Sequence, residues 1–440
     1  MTITFIGHGY VGLVSAAVFA DIGNTVWVIG HTPKKIEDLK RGVIPIYEPG
    51  LQELVNRNLA AKRLLFTDSY KPSISQSDVI FIVVGTPATE NGEADLSVVY
   101  DVAGKIGQHL ERHSVVITKS TVPVGTNKKI KQIIEKAKSR GVEFDIASVP
   151  EFLREGQAIS DTLTPDRIVI GTDSKKAEKI LIELHRPLLT KEQKITSRLV
   201  LCNIETAEMI KYSSNAFLAT KISFANAIAE LAERTGADGL KVLKAVGLDK
   251  RIGPAFLSPG AGYGGSCFPK DVKALIEIAN THGFDFNLLK EVQKINQDAM
   301  LNIVSKTKTL LGDDLNKRII TILGLSFKPD TDDMRDAPSL TIIHKLLEHG
   351  AKIKVYDPVA LRNAQKLFDK EKNIQFAQDI FEAVENADLL IILTEWNEFQ
   401  QLDLKKIKKL MRSPIIIDGR NIYDPEKAKD LGFRYIGVGR

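Results

Sequence analysis

Residues 3–29 place a strand, a glycine-rich turn, a helix and a second strand in immediate succession. Residues 3–6 are a short apolar run, and Gly7-His8-Gly9-Tyr10-Val11-Gly12 turns the chain. Residues 13–22 have the alanine and valine content of a packed helix closed by Gly23, and residues 25–29 are apolar again. The turn fits G-x-G-x-x-G, in which the first glycine permits the tight turn, the second lets backbone approach a pyrophosphate, and the third packs helix on strand. The phosphate then rests on amide N–H groups at the positive end of the helix. Such a unit cannot bury its own faces and commits the chain to a parallel sheet with helical crossovers.

Further apolar runs at 79–84, 115–118 and 145–149 continue that rhythm. After Arg198 the texture changes. Residues 204–235 contain neither proline nor glycine and many alanines, which predicts one continuous helix, with more helix at 237–246, 272–282 and 286–311. Strand patterns resume at 318–323, 352–356, 389–394 and 414–418, with a helix at 339–349. The expected fold is α/β, with two Rossmann-like parallel-sheet domains joined by a long central helix and helical connector. The expected division is 1–198 for a dinucleotide-binding domain, 199–312 for a helical dimerisation domain and 313–440 for a second sheet domain.

Among the 440 residues, 43% are hydrophobic and 26% charged, as in ordinary globular proteins. Lysine and arginine number 60 against 55 acids, a net charge of +5. Scattered along the chain, that excess argues against nucleic-acid binding and suits an anionic metabolite. No leader pattern opens the chain and no apolar run spans a bilayer, so a cytoplasmic location is expected. Two cysteines are too few for a disulfide framework or a thiolate metal site, and no metal is expected.

One of those cysteines stands in Gly264-Gly265-Ser266-Cys267-Phe268-Pro269-Lys270-Asp271. A structural cysteine sits among apolar neighbours, whereas Cys267 has flexible residues before it and titratable ones after it, the pattern of a reactive sulfur. Three further stretches belong with it. Lys119-Ser120-Thr121-Val122-Pro123-Val124-Gly125-Thr126 and Pro150-Glu151-Phe152-Leu153-Arg154-Glu155-Gly156 each follow a strand, where open α/β sheets bind ligands. On the long helix, Glu208, Lys211 and Asn215 put an acid, an amine and an amide on one face.

Taken together, the motifs resemble the UDP-glucose 6-dehydrogenase family, within the wider group of nucleotide-sugar 6-dehydrogenases. They stand here as GHGYVG, PIYEPGL, KSTVPVGT, PEFLREG, IKYSSNAFLATKISFAN, GPAFLSPGAGYGGSCFPKD and LGLSFKPDTDDMRDAPS, and span nearly the whole chain. The resemblance implies oxidation of the sugar's C6 alcohol to a carboxylate with two NAD⁺ reduced. It makes Cys267 the nucleophile, Lys211 and Asn215 the partners of the C6 oxygen, Asp271 and Thr121 the holders of a water, and Glu151 the base for thioester hydrolysis. The glycines before Cys267 are expected to let the loop approach the sugar.

For the substrate, UDP-glucose, the resemblance implies contacts from Phe152, Leu153, Arg154, Glu155, Phe256, Leu257, Ser258, Pro259, Gly260, Gly262, Lys328 and Arg420. Arg251 would reach the site of a partner in a homodimer formed through the central helix. For NAD it implies Gly9, Tyr10, Val11, Gly12, Lys35, Gly85, Thr86, Pro87, Ser120, Thr121, Glu155, Lys270 and Arg335.

Two positions depart from the pattern. Val149 replaces a common asparagine before Pro150-Glu151, which bears on how the Glu151 loop is pinned. Gly30 stands where an acid normally receives the ribose hydroxyls, which opens NADP use; restoring an aspartate at position 30 is expected to tighten NAD⁺ and exclude NADP⁺. Three alternatives remain: dehydrogenases of GDP-mannose or UDP-N-acetylmannosamine, a two-electron hydroxyacid dehydrogenase, and a non-catalytic nucleotide-sugar binder.

Overall fold

The computed structural model describes residues 1–89, 91–189 and 198–440. They form two compact units, Met1–Ser214 with Lys273–Gly283 and Asn215–Val272 with Phe284–Arg440.

The first unit is built on strands β1 (Thr2–Ile6), β2 (Thr25–Ile29), β3 (Leu64–Thr67), β4 (Val79–Ile82), β5 (Ser114–Thr118), β6 (Phe144–Ser148), β7 (Ile168–Gly171) and β8 (Leu199–Cys202), in the order β3-β2-β1-β4-β5-β6-β7-β8. Every neighbouring pair is parallel except β6 with β7. Helices cover both faces, so the central strands read as continuous apolar runs rather than alternating ones. Phe5 of β1 stacks on Phe81 of β4 at 4.6 Å, and Phe19 of the first helix closes over both. The sheet order reverses between β1 and β4, and ligands of such sheets bind outside the strand ends at that point.

The second unit contains β9 (Ile319–Leu323), β10 (Lys352–Tyr356), β11 (Ile374–Phe376), β12 (Leu389–Ile392), β13 (Ile415–Asp418) and β14 (Arg434–Ile436), all parallel in the order β11-β10-β9-β12-β13-β14. Its switch point lies between β9 and β12.

The helix Ile204–Thr235 is continuous, as the sequence predicts, and the division between units falls inside it after Ser214. The Asn203 side chain accepts from the Thr206 amide at its start, and Gly236, in the left-handed region, ends it. Half of its buried residues are alanines, whereas Phe217, Phe224 and Leu231 are 66%, 50% and 57% exposed. Those three fall seven residues apart, on one stripe of the helix. No helix of the described residues is long and apolar enough to cross a membrane.

Candidate active site

The glycine fingerprint sits at the β1 end of the first switch point. The first helix, Tyr10–Asp21, starts three residues before the sequence reading, so its opening amides face the turn. A side chain at Gly7 would meet the Val83 carbonyl at 2.6 Å, and one at Gly12 would meet the Gly7 carbonyl. Around Gly9 the space is open. Two glycines are therefore required by the protein's own packing and the third leaves a cradle in front of the helix, which fits a pyrophosphate.

The loops after β4 and β5 line the same edge of the sheet. Gly85 and Pro87 are exposed, while buried Thr86 donates to the Thr121 carbonyl at 2.9 Å. Ser120 donates to the Val84 carbonyl at 2.7 Å. The two loops are thus tied together, with Thr121 half-buried between them.

After β6, the Glu151 carboxylate is held from three directions. Its Oε1 accepts from the Phe152 and Leu153 amides at 2.7 and 3.0 Å, and its Oε2 pairs with the buried Lys119 ammonium at 2.7 Å. Burial alone would push its pKa up. Lys119, the Phe152 amide and the nearby Lys211 outweigh that and hold it below the usual carboxylate range. The loop is thus pinned by Glu151 itself, with Val149 buried behind it. Phe152 lies under the Arg167 guanidinium at 3.8 Å and within 5.2 Å of the Lys211 ammonium. Arg154 is exposed and clasped by Asp161 through Nε and Nη2 at 2.9 and 2.6 Å. Leu153 and Glu155 are half-buried in this loop.

The three polar groups expected on one helix face do different work. Glu208 is buried and accepts from the Gly125 and Asn127 amides at 2.7 and 3.0 Å, capping the helix Thr126–Ala137. Lys211 is buried beside Glu151 and Phe152. Asn215, four residues on, belongs to the second unit, where its Nδ2 donates to Asp271 Oδ2 at 2.6 Å.

Asp271 is fully buried and its other oxygen pairs with Lys270. The exposed Cys267 precedes the helix Phe268–Thr281 and its carbonyl accepts the Asp271 amide at 2.9 Å. Its sulfur therefore stands at the positive end of that helix, where developing negative charge is favoured.

The glycines before Cys267 are required by the protein's own packing. A side chain at Gly265 would meet the Phe327 ring at 2.8 Å, one at Gly264 would collide with the Asp336 carbonyl, and the Gly265 amide donates to the Arg335 carbonyl at 2.8 Å. They brace the cysteine loop against the segment after β9. Arg335 itself clasps Asp333 through Nε and Nη2 at 2.8 and 2.6 Å.

A basic corner forms at the carboxyl ends of β9, β12 and β13. Arg420 donates through Nε to the Leu393 carbonyl at 2.8 Å and pairs with Glu395 at 3.3 Å. Lys328 lies 5.6 Å from the Phe327 ring centre. The strand-like segment through Pro259 and Gly260 crosses this corner: Gly260 donates to Asn226 Oδ1 at 2.8 Å and Ala261 donates to the Gly419 carbonyl at 3.0 Å. Leu257 and Gly262 are buried along it, Ser258 is exposed, and Phe256 has a left-handed backbone with its ring 6.2 Å from Phe268. Arg251 is exposed and paired with Asp249 at 2.6 Å.

Two residues that sequence reasoning missed matter locally. Lys119 is the charge that holds Glu151. Glu48, within PIYEPGL, is buried and accepts from the Gly156 and Ala158 amides at 2.6 and 2.7 Å and from the Tyr10 hydroxyl. It therefore joins the first residue of the fingerprint helix to the loop that follows Glu151. At position 30 an added side chain would meet the His8 ring and the terminal methyl of Ile36, both of which would have to shift.

Two doubly wound sheets, one carrying a dinucleotide cradle and the other a braced cysteine loop beside a basic corner, define a dinucleotide-dependent dehydrogenase. The chain matches the models of the UDP-glucose/GDP-mannose dehydrogenase family, the NAD binding domain over residues 1–189, the central domain over 205–298 and the UDP binding domain over 321–425. It belongs to that family and is an NAD-dependent oxidoreductase. A UDP-glucose 6-dehydrogenase of Bacillus subtilis, TuaD, is 47% identical over 438 residues, covering 100% of this chain and 93% of its own. A UDP-glucose 6-dehydrogenase of Rhizobium meliloti is 45% identical over 443 residues, covering 100% of both. The structure of a UDP-glucose dehydrogenase from Pyrobaculum islandicum superposes with a TM-score of 0.91 at 36% identity, covering 99% of this chain and 97% of that one. A UDP-D-ManNAc dehydrogenase from Pyrococcus horikoshii gives 0.87 at 29% identity, covering 100% and 99%.

Proposed function

We propose that the chain oxidises the C6 alcohol of UDP-glucose to a carboxylate in two dehydrogenations, through a thiohemiacetal and a thioester on Cys267. The observation that carries this reading is the constellation of Cys267 at a helix start, Asp271 one turn into that helix and Asn215 bonded to Asp271. Full-length relatives named UDP-glucose 6-dehydrogenase support the choice of sugar.

NAD⁺ held at the Gly9–Gly12 turn would supply the hydride acceptor for each oxidation. In the first, Asp271, with a water held by Thr121, takes the C6 hydroxyl proton while the Lys211 ammonium stabilises the developing alkoxide. The Cys267 sulfur then adds to the aldehyde carbon, and the oxyanion so formed meets Lys211 and the second N–H of the Asn215 amide, the first being given to Asp271. Loss of a second hydride from that oxyanion leaves the thioester, the thiol proton having passed to water as the C–S bond formed. Water attacks its carbonyl, the C–S bond breaks, and the carboxylate and thiol are released. Glu151, held ionised by Lys119, orients that water more than it deprotonates it.

On this reading residues 1–198 hold NAD with Gly9, Tyr10, Val11, Gly12, Lys35 and the Gly85–Pro87 and Ser120–Thr121 loops. Residues 313–440 hold the uridine diphosphate with Lys328 and Arg420, joined by the Phe256–Gly262 segment. Residues 199–312 carry the dimer contact, supported by the exposed stripe of Phe217, Phe224 and Leu231. Assay of NADH formation with UDP-glucose, GDP-mannose and UDP-N-acetylmannosamine tests the sugar. A kcat/KM highest for UDP-glucose is expected; equal or better use of either other sugar would overturn the assignment.

A further inference from the structure

Gly30, at the end of β2, departs from the fingerprint and faces His8 of the glycine turn. Gly30 is buried and its amide donates to the Thr67 carbonyl at 3.0 Å. Its φ is not positive, so backbone conformation does not demand glycine there. Space does. A side chain built on it would lie 2.7 Å from His8 Nδ1 and 2.6 Å from the Ile36 terminal methyl. The imidazole of His8, from inside the glycine turn, stands in space that a side chain at position 30 would enter.

His8 is half-buried, and no described residue hydrogen-bonds its ring. Burial, together with Lys35 and His31 facing it, lowers its pKa and keeps the ring neutral at pH 7. His31 is in turn bonded to the Tyr70 hydroxyl at 3.1 Å and stacked on its ring. A neutral imidazole offers one acceptor and one donor. It can receive a ribose hydroxyl as a carboxylate does, and it carries no charge to repel a 2′-phosphate. Lys34 and Lys35 follow exposed at the start of the next helix, Lys35 close enough to act on His8, and their charges would attract one.

We propose that His8 replaces the acid as the group that reads the adenosine ribose, and that the chain in consequence binds NAD(H) and NADP(H) with comparable affinity. The inference rests on the NAD-binding role of the first unit but not on the identity of the sugar or on the role of Cys267. Its test is therefore direct binding, with NADH and NADPH fluorescence titrated in the absence of sugar. The wild type should show dissociation constants for the two within about tenfold, since no like charge opposes the phosphate. His8→Ala should weaken NADH by several-fold. Gly30→Asp alone should gain little, because His8 blocks the new side chain. The pair His8→Ala with Gly30→Asp should tighten NADH and raise the NADPH to NADH ratio to about 100 or more, and thermal melts would check that each variant is folded. The inference is overturned if the wild type already binds NADPH more than about a hundredfold more weakly. It is also overturned if His8→Ala leaves NADH unchanged, or if Gly30→Asp alone matches the double variant. Retained NADH binding with no turnover of any nucleotide sugar would count against the proposed reaction and leave this inference standing.

Discussion

The Asn215 amide donates to the Asp271 carboxylate at 2.6 Å, and both side chains are buried. The bond fixes which way the amide points, because Nδ2 must face the carboxylate and Oδ1 must face away. Asp271→Asn removes the charge that receives a proton while keeping size and an acceptor for Asn215. The expected result is a kcat lower by about 10²–10⁴ with little change in KM and a normal melting temperature. Steady-state kinetics decide it, and an effect confined to KM would make Asp271 a binding residue only.

Glu151 and Lys119 make the pH dependence specific. The folded-state value of Glu151 is depressed, so its pairing contributes stability above its unfolded value and loses it as pH falls toward the folded one. Lys119→Met removes the main counter-charge and leaves the burial, so the carboxyl titrates at a higher pH and the acid limb of the kcat profile should move upward. Glu151→Gln should slow thioester hydrolysis more than hydride transfer, leaving an acyl group on Cys267 that intact-protein mass spectrometry would detect. A variant with an unchanged profile, or no added mass, would remove Glu151 from the hydrolytic step.

Glu48 gathers two amides and a hydroxyl onto one buried carboxylate. Glu48→Ala strands the Gly156 and Ala158 donors, at a cost of about 1–3 kcal/mol for each buried group left unsatisfied. Because those donors belong to the loop after Glu151 and the hydroxyl belongs to Tyr10, KM for NAD⁺ and for UDP-glucose should rise together. A lower melting temperature with both KM values intact would reduce Glu48 to a purely structural role.

Phe217, Phe224 and Leu231 present an apolar stripe to solvent at heptad spacing. Phe224→Glu should convert a dimer to monomer in sedimentation velocity. A wild type that sediments as a monomer at micromolar concentration would refute the assembly.

The first sheet was legible because its signal is local. A strand, three glycines and a helix follow one another in a single βαβ unit, and residues 204–235 lack any glycine or proline to end the helix early. Cys267, Lys211 and Asn215 stood out by residue type and motif. Lys119 and Glu48 did not, because each acts on a group 32 or 108–110 residues away and no periodicity announces such a pairing. The same reason hid the packing role of Gly264 and Gly265, which is set by Phe327 and Asp336. At position 30 the lost acid was visible in the sequence, while the contact of that position with His8 was not, because the two stand 22 residues apart in separate turns.

The central claim is that Cys267 carries the sugar from alcohol to acid without releasing the aldehyde. Its most direct test is the number of NADH formed per UDP-glucose consumed, measured for the wild type and for Cys267→Ser. The account predicts two NADH and one UDP-glucuronate per sugar in the wild type, and loss of that complete turnover in the serine variant with nucleotide binding retained. One NADH per sugar with free aldehyde in solution, or normal two-NADH turnover by Cys267→Ser, would contradict it.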